Sequence, residues 1–163
     1  MNTVRMKQRL AAAGVTRLSD QWSVMRLAIC AEVDTNAVVS LFCALHTVQG
    51  PCAAARSARS DPERTLRQIS ALCRTMDDAG LSSADRKHAT LNLAQALLSG
   101  ILRGDELRSL RDNGPQAWIN AIAAAARATP ADLGALGADG HLHRDVMARA
   151  IDALAAAQGG ATS

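Results

Sequence analysis

Between Leu91 and Leu154 glycine and proline cut the chain into short segments, and this punctuation constrains the fold more than any other feature. The breaks fall at Gly100, Gly104, Gly114-Pro115, Thr129-Pro130, Gly137 and Gly140. Proline cannot donate to a helix ladder, and glycine takes the left-handed conformation that ends one. Between the breaks, apolar residues recur at three- and four-residue spacing, the period of a helix face. Helices this short must fold back on one another to bury their apolar stripes.

The upstream chain has the same character. Residues 2–13 form a short basic helix ending at Gly14. Ser19 or Asp20 is placed to cap a second helix, in which Trp22, Met25 and Ile29 form a core stripe. Asp34 or Thr35 caps a third, which buries Val38, Leu41, Phe42 and Leu45 and stops at Gly50-Pro51. Residues 51–60 are read as a short helix and a turn. Asp61-Pro62-Glu63 opens the next helix with a cap, a first-position proline and an acid at the positive end of the dipole. That helix carries Leu66, Ile69, Leu72, Cys73 and Met76 and ends at Gly80.

Ser82 or Ser83 then caps a long helix whose apolar residues are Ala89, Leu91, Leu93, Ala96, Leu97 and Leu98, closed by Gly100. One of Gly100 and Gly104 at least should take positive φ in the tight connection that follows. Asp105 caps a helix holding Leu107 and Leu110; Pro115 opens one with Trp118, Ile119 and Ile122; Thr129-Pro130 opens one with Leu133 and Leu136. A last helix over about 143–157 carries Val146, Met147, Ala150, Ile151 and Leu154, and the tail from Gln158 frays.

Hydrophobic content is 48%, much of it alanine, which favours helix because it loses no side-chain entropy. Strand formers are sparse, and no run alternates with period two. The fold class is all-α: one compact domain over residues 1–163, with about seven to nine mostly short helices. The expected core is Met25, Leu41, Leu45, Leu66, Ile69, Leu72, Leu93, Leu97, Leu107, Leu110, Trp118, Ile122, Leu133 and Val146.

Chemistry is harder to find. Net charge is +3 with scattered arginines, short of a polybasic signature. The N-terminus lacks an apolar run long enough for a signal peptide or a membrane span. Cys30, Cys43, Cys52 and Cys73 form no C-x-x-C pair and are expected as reduced, mainly core thiols of a cytoplasmic protein. Cys43, His46, Cys52 and Cys73 lack the two tight pairs of a structural zinc site. His141 and His143 flank a surface turn. Asp77-Asp78 and Asp105-Glu106 sit at helix ends, where solvated dipole partners explain them better than acid–base chemistry. No catalytic, cofactor-binding or metal-ligating residue is expected, and an enzyme is not. The 115–157 run has the spacing of a helix-turn-helix, but its last helix mixes Arg144 and Arg149 with Asp145 and Asp152, a poor face for reading DNA.

An ordered series of short motifs is more informative. It comprises Gly80-Leu81-Ser82, Leu93-Ala94-Gln95-Ala96-Leu97 and Gly100-Ile101-Leu102-Arg103-Gly104-Asp105-Glu106-Leu107. It continues as Leu110, Asn113, Pro115, Ile122-Ala123, Leu133-Gly134-Ala135-Leu136, Gly140-His141-Leu142 and Asp145-Val146. Over about residues 65–154 this series resembles the tape measure domain of phage tail tape measure proteins, with a weaker likeness from about Val38. One departure stands out: where that family commonly has a Leu-Gly-Val turn, this chain has Ala126-Arg127-Ala128.

The resemblance implies a non-catalytic structural module of a phage or prophage tail. Its partners would be phage tail proteins or itself, as a homo-oligomer, met in the host cytoplasm during assembly and then in the virion tail. Nucleic acid is not an expected partner. The alternatives are a small helix-turn-helix-like DNA-binding regulator or a decayed prophage remnant. A wholly helical chain of this length would span only about 240 Å at 1.5 Å per residue, too short for a length ruler by itself. The expectation is therefore a stand-alone domain, a cropped gene or a fragment.

Overall fold

The computed structural model describes residues 3–48 and 61–159, and the regular elements within them are all helices. The helices are α1 (Thr3–Ala12), α2 (Leu18–Cys30), α3 (Thr35–Val48), α4 (Pro62–Asp78), α5 (Ser83–Ser99), α6 (Gly104–Asn113), α7 (Gln116–Ala126), α8 (Leu133–Ala138) and α9 (Arg144–Gly159). The expectations for Gly50-Pro51, for a helix in 51–60, for Cys52 and for the tail beyond Gly159 lie outside the described residues.

Most boundaries follow local chemistry. Asp34 caps α3 by accepting the Ala37 N–H at 3.0 Å, and Asp61 caps α4 through the Glu63 N–H at 3.1 Å. Ser82 caps α5 through the Asp85 N–H at 3.2 Å. Three starts differ from expectation. Helix α2 begins after Arg17, so Ser19 and Asp20 lie in its first turn instead of capping it. Helix α6 begins at Gly104, and Asp105 is not its cap; the Glu106 carboxylate reaches back to accept the Arg103 N–H at 2.9 Å. Helix α8 begins only at Leu133, because Asp132 holds residues 129–132 in a turn by accepting both the N–H and the hydroxyl of Thr129.

Five helices end in the same closure, in which one N–H bonds three residues back and the next bonds five back around a left-handed residue. Gly14, Gly80 and Gly140 occupy that position in three of them. Glu32 at φ 52° and Arg127 at φ 56° occupy it in the other two. Gly100 ends α5 at φ 85°, and Gly104 is not left-handed.

Helices α3 and α5 make the most extensive contact and form the centre of the molecule. Helices α1, α2 and α4 pack on α3, α6 packs on α5, and α9 lies across α7 and α4. The expected core residues are all buried, with Leu66 partly so at its margin. The α2 stripe is the main correction. Met25 is buried, but Trp22 and Ile29 are exposed, and α2 faces the core with Gln21, Val24, Met25 and Ala28. Leu98 is likewise on the surface.

Candidate functional site

Two loops remote in sequence meet at one end of the molecule. Leu102 N–H donates to the Leu142 carbonyl at 2.8 Å, and Arg144 N–H donates to the Gly100 carbonyl at 2.9 Å. Ile101 and His143 thereby form an isolated antiparallel bridge. Leu102 and Leu142 are both fully buried beneath it. The Arg144 guanidinium donates to the carbonyls of Leu97 and Leu98 at 3.0 and 3.3 Å, satisfying the open end of α5. A second arginine, Arg86, ties three elements by donating to Leu81 and Ala31 carbonyls at 2.9 and 3.1 Å and pairing with Asp77.

These arginines bear on several sequence readings. Arg144 and Arg149 are the cations of the helix-turn-helix reading; Arg144 is tied to the end of α5, while Arg149 stays on the surface. Arg149 bonds Asp145 at 2.7 Å and donates to the Ala125 carbonyl at 3.2 Å. The Arg149 hydrogen bond holds the Asp145 carboxyl below its ordinary range. Asp77 stands at the negative end of α4, where a carboxylate is disfavoured, so Arg86 rather than the dipole accounts for it. Asp105 and Glu106 do occupy the first turn of α6. His141 and His143 are exposed on the turn before α9.

Of the zinc reading, Cys43, His46 and Cys73 serve packing. Cys43 lies over α1, with its Sγ 3.8 Å from the Arg9 carbonyl oxygen, and His46 stacks on Phe42 with ring centroids 5.4 Å apart. Burial pushes the Cys73 thiol up to about 12, and the nearby Asp77 carboxylate adds to the rise. Cys30 is exposed, contrary to the core expectation. Among the described residues, no group of three or more His, Cys, Asp or Glu side chains could hold a metal ion. No helix among them is long and apolar enough to cross a membrane.

The remaining candidate is a surface. Leu18, Trp22 and Ile29 are 63%, 55% and 72% exposed along one line of α2, and Val4 of α1 is 62% exposed. Lys7 joins the two helices by placing its Nζ 4.7 Å from the centroid of the Trp22 ring. Such an arrangement can bind a partner through apolar contact edged by positive charge; it contains no group placed for bond-breaking.

The family model of tape measure proteins matches residues 47–163. The chain belongs to the tape measure protein family. No curated protein and no solved structure matched the chain. The tape measure match identifies it with a structural family of phage tails. It takes in the last two described residues of α3 and all of α4 to α9, including every motif of the ordered series. The structure shows why two of those motifs occur together: Gly100-Ile101-Leu102 and Gly140-His141-Leu142 are the two sides of the bridge. The Ala126-Arg127-Ala128 departure falls at the end of α7. Arg127 takes there a left-handed conformation that glycine adopts without penalty. Sequence reasoning did not place Leu102 and Leu142 in the core, nor Arg86 and Arg144 on backbone carbonyls. The two leucines lie in loops outside any helical period, and the arginines look like ordinary surface charges until the fold brings carbonyls to them.

Proposed function

We propose that this chain is a non-catalytic assembly module of a phage or prophage tail, acting through contacts with other tail proteins in the host cytoplasm and then in the virion. The family match over most of the chain carries the reading. The bonds of the Arg144 guanidinium to the Leu97 and Leu98 carbonyls weigh against DNA reading, because a recognition helix needs its cations free to reach base edges. Deleting the gene from an inducible prophage and counting particles by electron microscopy tests the proposal. Loss or malformation of tails is expected. Unaltered tail number, length and infectivity would overturn it in favour of a decayed remnant.

A further inference from the structure

Residues 1–30 contain five Lys or Arg and one acid, Asp20. The other 133 residues contain 13 basic and 14 acidic residues, so the chain's positive surplus lies wholly in this N-terminal stretch. The same stretch holds four of the five large apolar side chains exposed among the described residues. It also lies outside the tape measure match. Charge and exposed apolar surface are thus concentrated together, on helices beyond the family's shared part.

The pattern on α2 is specific. Leu18, Trp22, Met25 and Ile29 are spaced four, three and four residues apart, the step of a coiled-coil seam. Met25 turns into the core, and the other three stay outside. They fall within about 40° of one another around the helix axis and run along about 16 Å of it. A helix immersed in a bilayer surface presents an apolar face wider than about 100°, whereas this is a single-file seam suited to one partner helix. Lys7 edges the seam at Trp22, and Arg26 lies one turn beyond Trp22 on its flank. Asp20 lies about 180° away around α2. Two copies of this face pairing with each other would bring like charges together.

We infer that the α1–α2 face docks an amphipathic helix of a partner protein, with apolar residues along its seam and carboxylates on its flanks. The inference rests on the tail-assembly reading for its biological setting, while the surface itself stands on the charge and exposure given above.

The test uses the full chain and two three-heptad helical peptides, identical in their leucine seam and flanked by Glu in one and Lys in the other. Calorimetry should show binding of the Glu-flanked peptide, weakening as salt rises. Trp22→Ala with Ile29→Ala should weaken it by about thirtyfold or more at an unchanged melting temperature. Lys7→Glu with Arg26→Glu should transfer the preference to the Lys-flanked peptide, and Leu98→Ala, an exposed leucine on α5, should change nothing. Equal binding of both peptides, or of neither, overturns the inference. So does Trp22-dependent binding to anionic phosphatidylglycerol vesicles in place of the peptide, which assigns the face to a membrane. Trp22-dependent dimerisation in sedimentation assigns it to a second copy and overturns it equally. If the peptide fails but gene deletion abolishes tails, the surface assignment alone is wrong; if the peptide binds and deletion has no effect, the assembly reading alone is wrong.

Discussion

The indole N–H of Trp118 donates to the hydroxyl of Thr75 at 2.6 Å, joining α7 to α4 across 43 residues of chain. The Thr75 hydroxyl passes the bond on to the Leu72 carbonyl at 2.7 Å. Both residues are buried, so Trp118 is a core anchor whose one polar atom is satisfied inside the protein. Thr75→Val keeps the shape and strands the indole N–H. It should lower unfolding free energy by about 1–3 kcal/mol in urea denaturation. Trp118→Ala should cost about 3–5 kcal/mol. If Thr75→Val is neutral, the bond has no energetic role.

Arg127 holds a left-handed conformation at φ 56° at the end of α7. A side chain there crowds the following carbonyl, and glycine avoids the penalty. Arg127→Gly should therefore stabilise the protein by about 0.5–1 kcal/mol, raising the melting temperature by about 1–4 °C. Differential scanning calorimetry measures it; a lower melting temperature would mean that the arginine side chain contributes more than its backbone costs.

Gly100 makes the opposite case. Its φ of 85° disfavours a side chain, and an added Cβ would stand 3.3 Å from the Arg144 guanidinium that closes α5. Gly100→Ala should destabilise by about 1–2 kcal/mol. One turn earlier, Leu97 is fully buried, and Leu97→Ala should cost about 2–5 kcal/mol. A loss below about 0.5 kcal/mol for Leu97→Ala would contradict its place in the core.

Cys30 and Cys73 should separate chemically. Cys30 is exposed, while burial holds the Cys73 thiol up at about 12 against an ordinary 9.0. Iodoacetamide near pH 8, followed by peptide mass mapping, should label Cys30 in minutes and Cys73 only on unfolding. Because the folded pKa is raised, the protonated thiol's contribution is complete below about pH 9 and is lost as pH rises toward about 12. Equal labelling of both in the native protein would contradict the burial of Cys73.

The sequence was most legible where a local rule acts alone. Asp61 before Pro62, Ser82 before Asp85, and Gly14, Gly80, Gly100 and Gly140 after apolar runs mark helix ends that the structure keeps. A cap needs only its own helix, and a left-handed turn only its own backbone. The starts of α6 and α8 were misplaced, at Asp105 and at Thr129-Pro130, because Glu106 and Asp132 supply the bonds by reaching back three residues to Arg103 and Thr129. The candidate surface was legible as a pattern and misread in meaning. Trp22 and Ile29 carry the spacing of a buried stripe, and spacing reports only that a face is apolar.

By itself, then, the sequence determined an all-helical chain, its main breaks, its principal core and its ordered tape measure motifs. Alanine content, caps and helical periodicity act within a few residues of chain and need no knowledge of the fold. Only the tertiary structure decided that Trp22 and Ile29 stay outside while Trp118 goes in. Helix α2 has apolar residues over more of its circumference than α3 and α4 can cover, so packing selects the Val24–Met25–Ala28 side and leaves the other. The same holds for Arg144 and the Leu102–Leu142 bridge. Their partners lie 40 or more residues away in sequence, and only the folded path brings them within hydrogen-bonding distance.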